Sequence, residues 1–261
     1  MCTKTVNLWN TVPGLCEETP TLDIYIPQQK TSDIAVVIFP GGGYGYRSEH
    51  EGKGYAEFLN KHGITAFVCQ YRVNPHLFPL PLLDARRAVQ YVRYHSASFG
   101  IHKNKVYIMG SSAGGHLAAL TCTYRNALPI EHPDGIDQEN HLPNGQILCY
   151  PVIALLGKGV SHLSSGMMLL GERQAEMGEE LSPHLIADEN TPPAFIWHTF
   201  DDGAVPVTNT LLYAQRLRQM GVNAEVHVYP YGPHGLGLAE DVPHVRNWTK
   251  ELLQWLQLEK D

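Results

Sequence analysis

A chain of 261 residues, 43% hydrophobic and 17% charged, can bury a substantial core, enough for one large α/β domain or two small ones. Its 26 acids outnumber 19 bases for a net charge of −7, with no basic block, which disfavours nucleic acid and anionic membrane as partners. No apolar run approaches the ~18 residues of a membrane span, and the opening MCTKTVNLWNTVPG lacks an apolar core of signal-peptide length, so the cytoplasm is the expected compartment.

Short β-branched and aromatic runs alternate with helix-length stretches. The alternation of Leu22, Ile24 and Ile26 predicts a half-buried strand over residues 21–26, and the continuous run IAVVIF predicts a strand over 34–39 that is covered on both faces. Further strands are predicted over 65–71, 106–109, 146–150, 194–198 and 224–229, with helices over 52–62, 80–94, 113–124, 208–220 and 242–258. Gly63 and Gly221 fall where helix C-caps belong. This order implies an α/β fold with a mostly parallel sheet and helices on both faces, and the lack of a repeat or linker favours a single domain over 1–261. Residues 126–190 carry one clear strand and the polar, Gly-rich pieces EHPDGIDQENHLPNG and LLGKGVSHLSSG, and read as a cap or lid-like insertion over the site.

The five cysteines are irregularly spaced, and Cys69 and Cys149 sit in apolar strand runs, where a free thiol behaves as a small hydrophobe rather than part of a disulfide framework. The 14 histidines show no HExxH spacing, so no metal site is expected.

The stretch KVYIMGSSAGGHLAAL, residues 105–120, carries Gly110-x-Ser112-x-Gly114 between a predicted strand and a predicted helix. A plain tight turn would also use Gly and Ser. The full pattern, with small Ala113 and Gly115 beside it, is what a strained nucleophile elbow needs, because bulky neighbours would strike the backbone there. Ser112 is at its centre and Ser111 is not. A second glycine cluster, Pro40-Gly41-Gly42-Gly43-Tyr44, follows the strand over 34–39. It fails as a dinucleotide fingerprint because Ser48 stands where a glycine is required, and no GKS or GKT follows. Its bare amides suit an oxyanion loop instead. The rim candidates that complete the order Ser, acid, His are Asp201 or Asp202 after the strand over 194–198, and His234 after the last strand. A solvated turn or a helix cap could also place two acids there, but their position beyond the strand end, on the same rim as Ser112, favours the catalytic reading. His227 alternates within a strand and His116 lies one turn into the elbow helix, so neither sits on a late rim loop.

These motifs resemble the α/β-hydrolase superfamily over nearly the whole chain: PGGGY at 40–44, FPLPLLDARRAVQYVR at 78–93, GSSAGGHLAAL at 110–120, HTFDDGAVPV at 198–207 and GPHGLGL at 232–238. PGGGY followed by Glu51-Gly52, GSSAGGHLA and the short HTxDD turn are similar to small bacterial acetyl xylan esterase-like sugar-ester hydrolases. The resemblance implies a serine carboxylesterase acting on small acyl esters, acetyl above all and esters of carbohydrates included, with no cofactor and no metal. It places Asp202 at the acid position of an HGxxDxxV-type pattern, with Asp201 as the fallback and a turn-stabilising or capping role for the other acid. Gly42, Gly43 and Ala113 become the oxyanion-hole donors, and Pro40 stands where many members carry His. The small-molecule ester is the implied partner, an imported acetylated oligosaccharide more than polymeric xylan. Two rivals share the fold: an amidase or peptidase, kynurenine formamidase-like, and a catalytically silent binding module.

Overall fold

The computed structural model describes residues 2–14 and 18–258. Its strands are β1 (Lys4–Asn7), β2 (Thr21–Tyr25), β3 (Ala35–Phe39), β4 (Thr65–Gln70), β5 (Val106–Ser111), β6 (Gly145–Cys149), β7 (Ala194–Thr199) and β8 (Ala224–Tyr229). Among the described residues they form one sheet in the order β1-β2-β4-β3-β5-β6-β7-β8. β1 and β2 pair antiparallel, as do β2 and β4, and every other pairing is parallel. The expected α/β sheet is therefore present. The one unforeseen strand is β1, whose KTVN carries a single apolar residue and lies largely exposed at the edge; it leaves no alternation to read.

The longer helices are α1 (Glu49–Lys61), α2 (Leu80–Tyr94), α4 (Ser112–Thr123), α8 (Thr208–Gln219) and α10 (Trp248–Leu258); short turns form α3 (Ser96–Phe99), α5 (Leu163–Leu170), α6 (Gln174–Met177), α7 (Pro183–Ile186) and α9 (Pro243–Arg246). The helix expected over 242–258 is interrupted at Asn247, which lets Trp248 turn inward and stack on Trp197 with ring centroids 5.1 Å apart. Strand alternation divides the core. Ala35, Val37 and Phe39 face one layer with α2, α4 and α8, whereas Val36 and Ile38 face the other with α1 and α10. All twelve residues of α4 are buried, as its apolar, small-residue sequence requires at the centre of a layered domain.

Chain order reverses between β3 and β5: α1 leads outward to β4 on one side, and the chain then returns to the other side of β3. In an open α/β sheet, this switch point opens a crevice beyond the carboxyl ends of the strands. The loop after β3 and the corner after β5 both lie there.

The stretch 126–190 divides into parts with different surroundings. Asp134 and Asp137 receive Arg87 of α2 at 2.6–2.8 Å, and Asn144 accepts from the Val106 amide at the opposite end of β5 from Ser112. The polar piece EHPDGIDQENHLPNG thus lies along α2, away from the switch point. The residues after β6 do adjoin it: Val152 donates to the Ser112 carbonyl at 3.0 Å, and Phe78 donates to Leu169 of α5 at 2.8 Å.

Candidate active site

β5 ends at Ser111 and α4 begins at Ser112, whose φ of +52° lies in the left-handed region that non-glycine residues rarely occupy. Such strain persists only where neighbours over-determine it. Here the neighbours are close backbones. A Cβ on Gly110 would fall 2.1 Å from the Gly114 carbonyl oxygen, and one on Gly114 would fall 2.1 Å from that of Phe39. The spaced glycines therefore let strand, helix and the end of β3 meet at one corner. Ser111 is fully buried below this corner, with its Oγ 2.8 Å from the Tyr55 hydroxyl.

Ser112 Oγ lies 2.8 Å from His234 Nε2, and His234 Nδ1 lies 2.6 Å from Asp202 Oδ2. An ionised carboxylate can only accept, so Nδ1 carries the proton and Nε2 is free to receive the serine hydroxyl. Asp202 is 7% exposed. Its Oδ1 accepts from the Ala204 and Val205 amides, each at 2.9 Å, and His198 Nε2 stands 3.3 Å from Oδ2. Burial raises the Asp202 carboxyl, but the hydrogen bonds from His198, His234 and the Val205 amide outweigh it and hold the group well below the usual carboxylate range.

Asp201 points elsewhere, and its Oδ1 accepts from the Gly232 amide at 2.8 Å. It ties down the loop that carries His234. Asp201 thus has the turn-stabilising role and caps no helix: α8 has Val207 at its N-cap with no side-chain cap bond, and Asp202 holds the amides of the turn before it.

Beyond β3 the loop turns through Gly42 (φ +128°), Gly43 (φ +63°) and Tyr44 (φ +62°). A Cβ on Gly42 would fall 2.2 Å from the Tyr46 carbonyl oxygen, so only glycine fits. The Gly41 amide is taken by Glu51 Oε2 at 2.9 Å, whereas those of Gly42, Gly43 and Ala113 have no acceptor among the described residues. This leaves for a ligand the three amides that the sequence singles out. Pro40 uses its carbonyl to accept the Tyr71 hydroxyl at 2.6 Å.

Several polar residues around the site carry no local signal. His198 is fully buried, with Nε2 donating to the Val205 carbonyl at 2.9 Å and Nδ1 accepting from Thr210 at 2.8 Å. His116 is no idle helix residue. It accepts the Tyr44 hydroxyl at 2.7 Å and donates to the Leu181 carbonyl at 2.7 Å, and burial lowers it to about 4. His162, at the start of α5, is lowered first by burial and then by the proximity of His234, with Asp202 acting the other way. It thus stands within electrostatic reach of both. Histidines packed by tertiary contacts look in sequence like any other, so position alone could not rank them.

The sheet order, the helices on both faces and the corner at the switch point are those of the α/β hydrolases, and this chain has that fold. Its sequence matches the BD-FAE family over residues 22–217, and the chain belongs to that family. It is 40% identical to an acetyl ester-xyloside bifunctional hydrolase from Caldicellulosiruptor lactoaceticus of known crystal structure, with a TM-score of 0.91 over 97% of this chain and 95% of that one. It is also 34% identical over 239 residues to an acetylxylan esterase from Xylanibacter ruminicola, and 35% identical over 230 residues to endo-1,4-beta-xylanase B from Butyrivibrio fibrisolvens. These matches cover 89% and 85% of this chain but only 47% and 35% of the two relatives, so the chain spans half or less of their length. No helix among the described residues is long and apolar enough to cross a membrane.

Proposed function

We propose that this protein is a serine carboxylesterase that removes acetyl groups from acetylated carbohydrates. The observation that carries the reading is the unbroken line of hydrogen bonds from Ser112 through His234 to Asp202, at 2.8 and 2.6 Å. Ser112 Oγ attacks the ester carbonyl while His234 Nε2 takes its proton. Asp202 holds the imidazole in the required tautomer and stabilises the imidazolium. The amides of Gly42, Gly43 and Ala113 receive the oxyanion, each such donor being worth ~3–4 kcal/mol of transition-state stabilisation. His234 then gives this proton to the sugar oxygen as its bond to the acyl carbon breaks, so the sugar leaves as the alcohol. Water, activated by the same imidazole, releases acetate and restores Ser112. The choice of acetyl and of a sugar alcohol is supported by the names of the hydrolase from Caldicellulosiruptor lactoaceticus and the esterase from Xylanibacter ruminicola. The chain beyond β6, from Val152 through α7, serves as cover over the site, and 1–261 acts as one domain.

Turnover of a matched panel tests the proposal: p-nitrophenyl acetate, butyrate and octanoate, acetylated xylo-oligosaccharides, and acetanilide-type amides. Release of acetate from the sugars, with little attack on amides, is expected. Amides cleaved faster than esters would make the protein an amidase, and no turnover of any member would make it a binding module.

A further inference from the structure

Glu51, near the start of α1, is 3% exposed, and both its oxygens are held by neutral donors. Oε2 accepts from the Gly41 amide at 2.9 Å, and Oε1 accepts from the Tyr150 hydroxyl at 2.7 Å. Tyr150 Oη in turn accepts from the Gly237 amide at 2.9 Å, and its ring lies edge-on to His234 with centroids 5.0 Å apart. The Tyr55 hydroxyl joins the group, 3.3 Å from Tyr150 Oη and 2.8 Å from Ser111 Oγ. A carboxylate is costly to bury without a cation, so filling space is a poor account of its presence.

We propose that Glu51 is a positioning residue that, through Tyr150, locks the oxyanion loop and the His234 loop to one another across the nucleophile corner. This inference rests on the esterase reading above.

The geometry makes the link tight. A Cβ on Gly41 would fall 2.5 Å from Glu51 Oε2 and 3.1 Å from Ser112 Cβ, so the carboxylate and the serine flank the same glycine. Gly52 lets α1 approach that closely, because a Cβ there would already stand 3.0 Å from the Pro40 ring. Tyr150 itself has φ +36°, a strained turn that brings its hydroxyl back under the His234 loop. Burial, followed by the charge of Glu51, raises the Tyr150 phenol well above its ordinary value, so it remains a donor. On the outer side of the same loop, His50 Nε2 donates to the Gly235 carbonyl at 2.9 Å. A reacting carbonyl has to meet the nucleophile, the base and the oxyanion donors at once, and a misplacement of about 1 Å can cost ~10²-fold in rate. Glu51 fixes the first amide of the donor loop and, through one phenol, the backbone behind the base.

Glu51→Gln keeps the size and removes the charge, and Tyr150→Phe keeps the ring and removes its hydrogen bonds to Glu51, Gly237 and Tyr55. Each is expected to lower kcat for p-nitrophenyl acetate about tenfold to a hundredfold. KM should change little, and fluorophosphonate labelling of Ser112 should slow in parallel. The double variant should be hardly worse than the worse single one, as for two residues in one network. Leu59→Ala, in the core face of the same helix, is the control for mere destabilisation. It should lower Tm without lowering kcat measured well below Tm and normalised by active-site titration. If Glu51→Gln does not fold, Tyr150→Phe alone carries the comparison. Unchanged kcat in the folded variants, a change confined to KM, or an equal kcat loss in Leu59→Ala would overturn the inference while the esterase reading stands. Wild-type protein inert toward both ester and probe would overturn the two together.

Discussion

Replacing Asp202 by Asn is the most searching test of the site, because the two acids at the end of β7 differ only in where they point. Asp202 Oδ1 receives two backbone amides at 2.9 Å, while Oδ2 receives His234 Nδ1 at 2.6 Å and faces His198 Nε2 at 3.3 Å. An Asn that keeps its oxygen on the two amides must turn its NH₂ toward both imidazoles. His198 Nε2 is already fixed as a donor by the Val205 carbonyl, so donor meets donor there. His234 can accept from the amide only by moving its proton to Nε2, and it then cannot receive the proton of Ser112. The flipped Asn fares no better, since its NH₂ then faces the amides of Ala204 and Val205. The same substitution in a serine protease with this constellation costs ~10⁴-fold in kcat, which corresponds to about 5 kcal/mol of barrier. Asp201→Asn should cost less than about threefold in rate, because an Asn oxygen can still accept from Gly232, and losing that bond altogether is worth only ~1 kcal/mol of stability. The assay is kcat/KM on p-nitrophenyl acetate beside Tm for both variants. An inactive Asp201→Asn, or an Asp202→Asn variant retaining more than about a tenth of the activity, would refute the reasoning.

Three further outcomes are expected. Ser112→Ala should abolish ester turnover and fluorophosphonate labelling with the fold intact; Ser111→Ala should keep both, losing buried contacts such as that with Tyr55. Rates on p-nitrophenyl esters should fall from acetate to octanoate, whereas an apolar tunnel would gain up to ~0.8 kcal/mol for each added methylene and reverse the trend. The buried His116, lowered to about 4, stays neutral in the fold while the unfolded chain binds its proton near 6.5, so stability is full above that pH and declines toward pH 4 by about 3 kcal/mol. Urea denaturation across this range should show a shallower slope for His116→Gln. The slope does not vanish, because His141 is also lowered to about 4, and an unchanged slope would remove His116 from the account.

The order of strands and helices was legible because it rests on local signals. The apolar run of β3 and the 3–4 residue spacing in α2 and α8 survive whatever the tertiary context. β1 escaped because an exposed edge strand has no hydrophobic face to betray it. The interruption at Asn247 escaped because the stacking of Trp248 on Trp197 rewards it, and Trp197 lies some fifty residues earlier. The glycine spacings around Ser112 and Gly42 were likewise readable, since each marks a backbone approach that a single Cβ would block.

By itself, then, the sequence determined the fold class, the corner at Ser112, the glycine loop after β3, and a short list of late acids and histidines. Only the tertiary structure decided that Asp202, not Asp201, faces His234, because adjacent residues beyond a strand diverge and their directions depend on the amides and rings they meet. It alone brought Glu51 and Tyr150, far apart in the chain, under the same two loops. It also set the polar piece before β6 along α2, away from the site. Hydrogen-bond partners that are distant in sequence leave no periodicity, and a buried carboxylate reads in sequence like any residue on a solvated helix face.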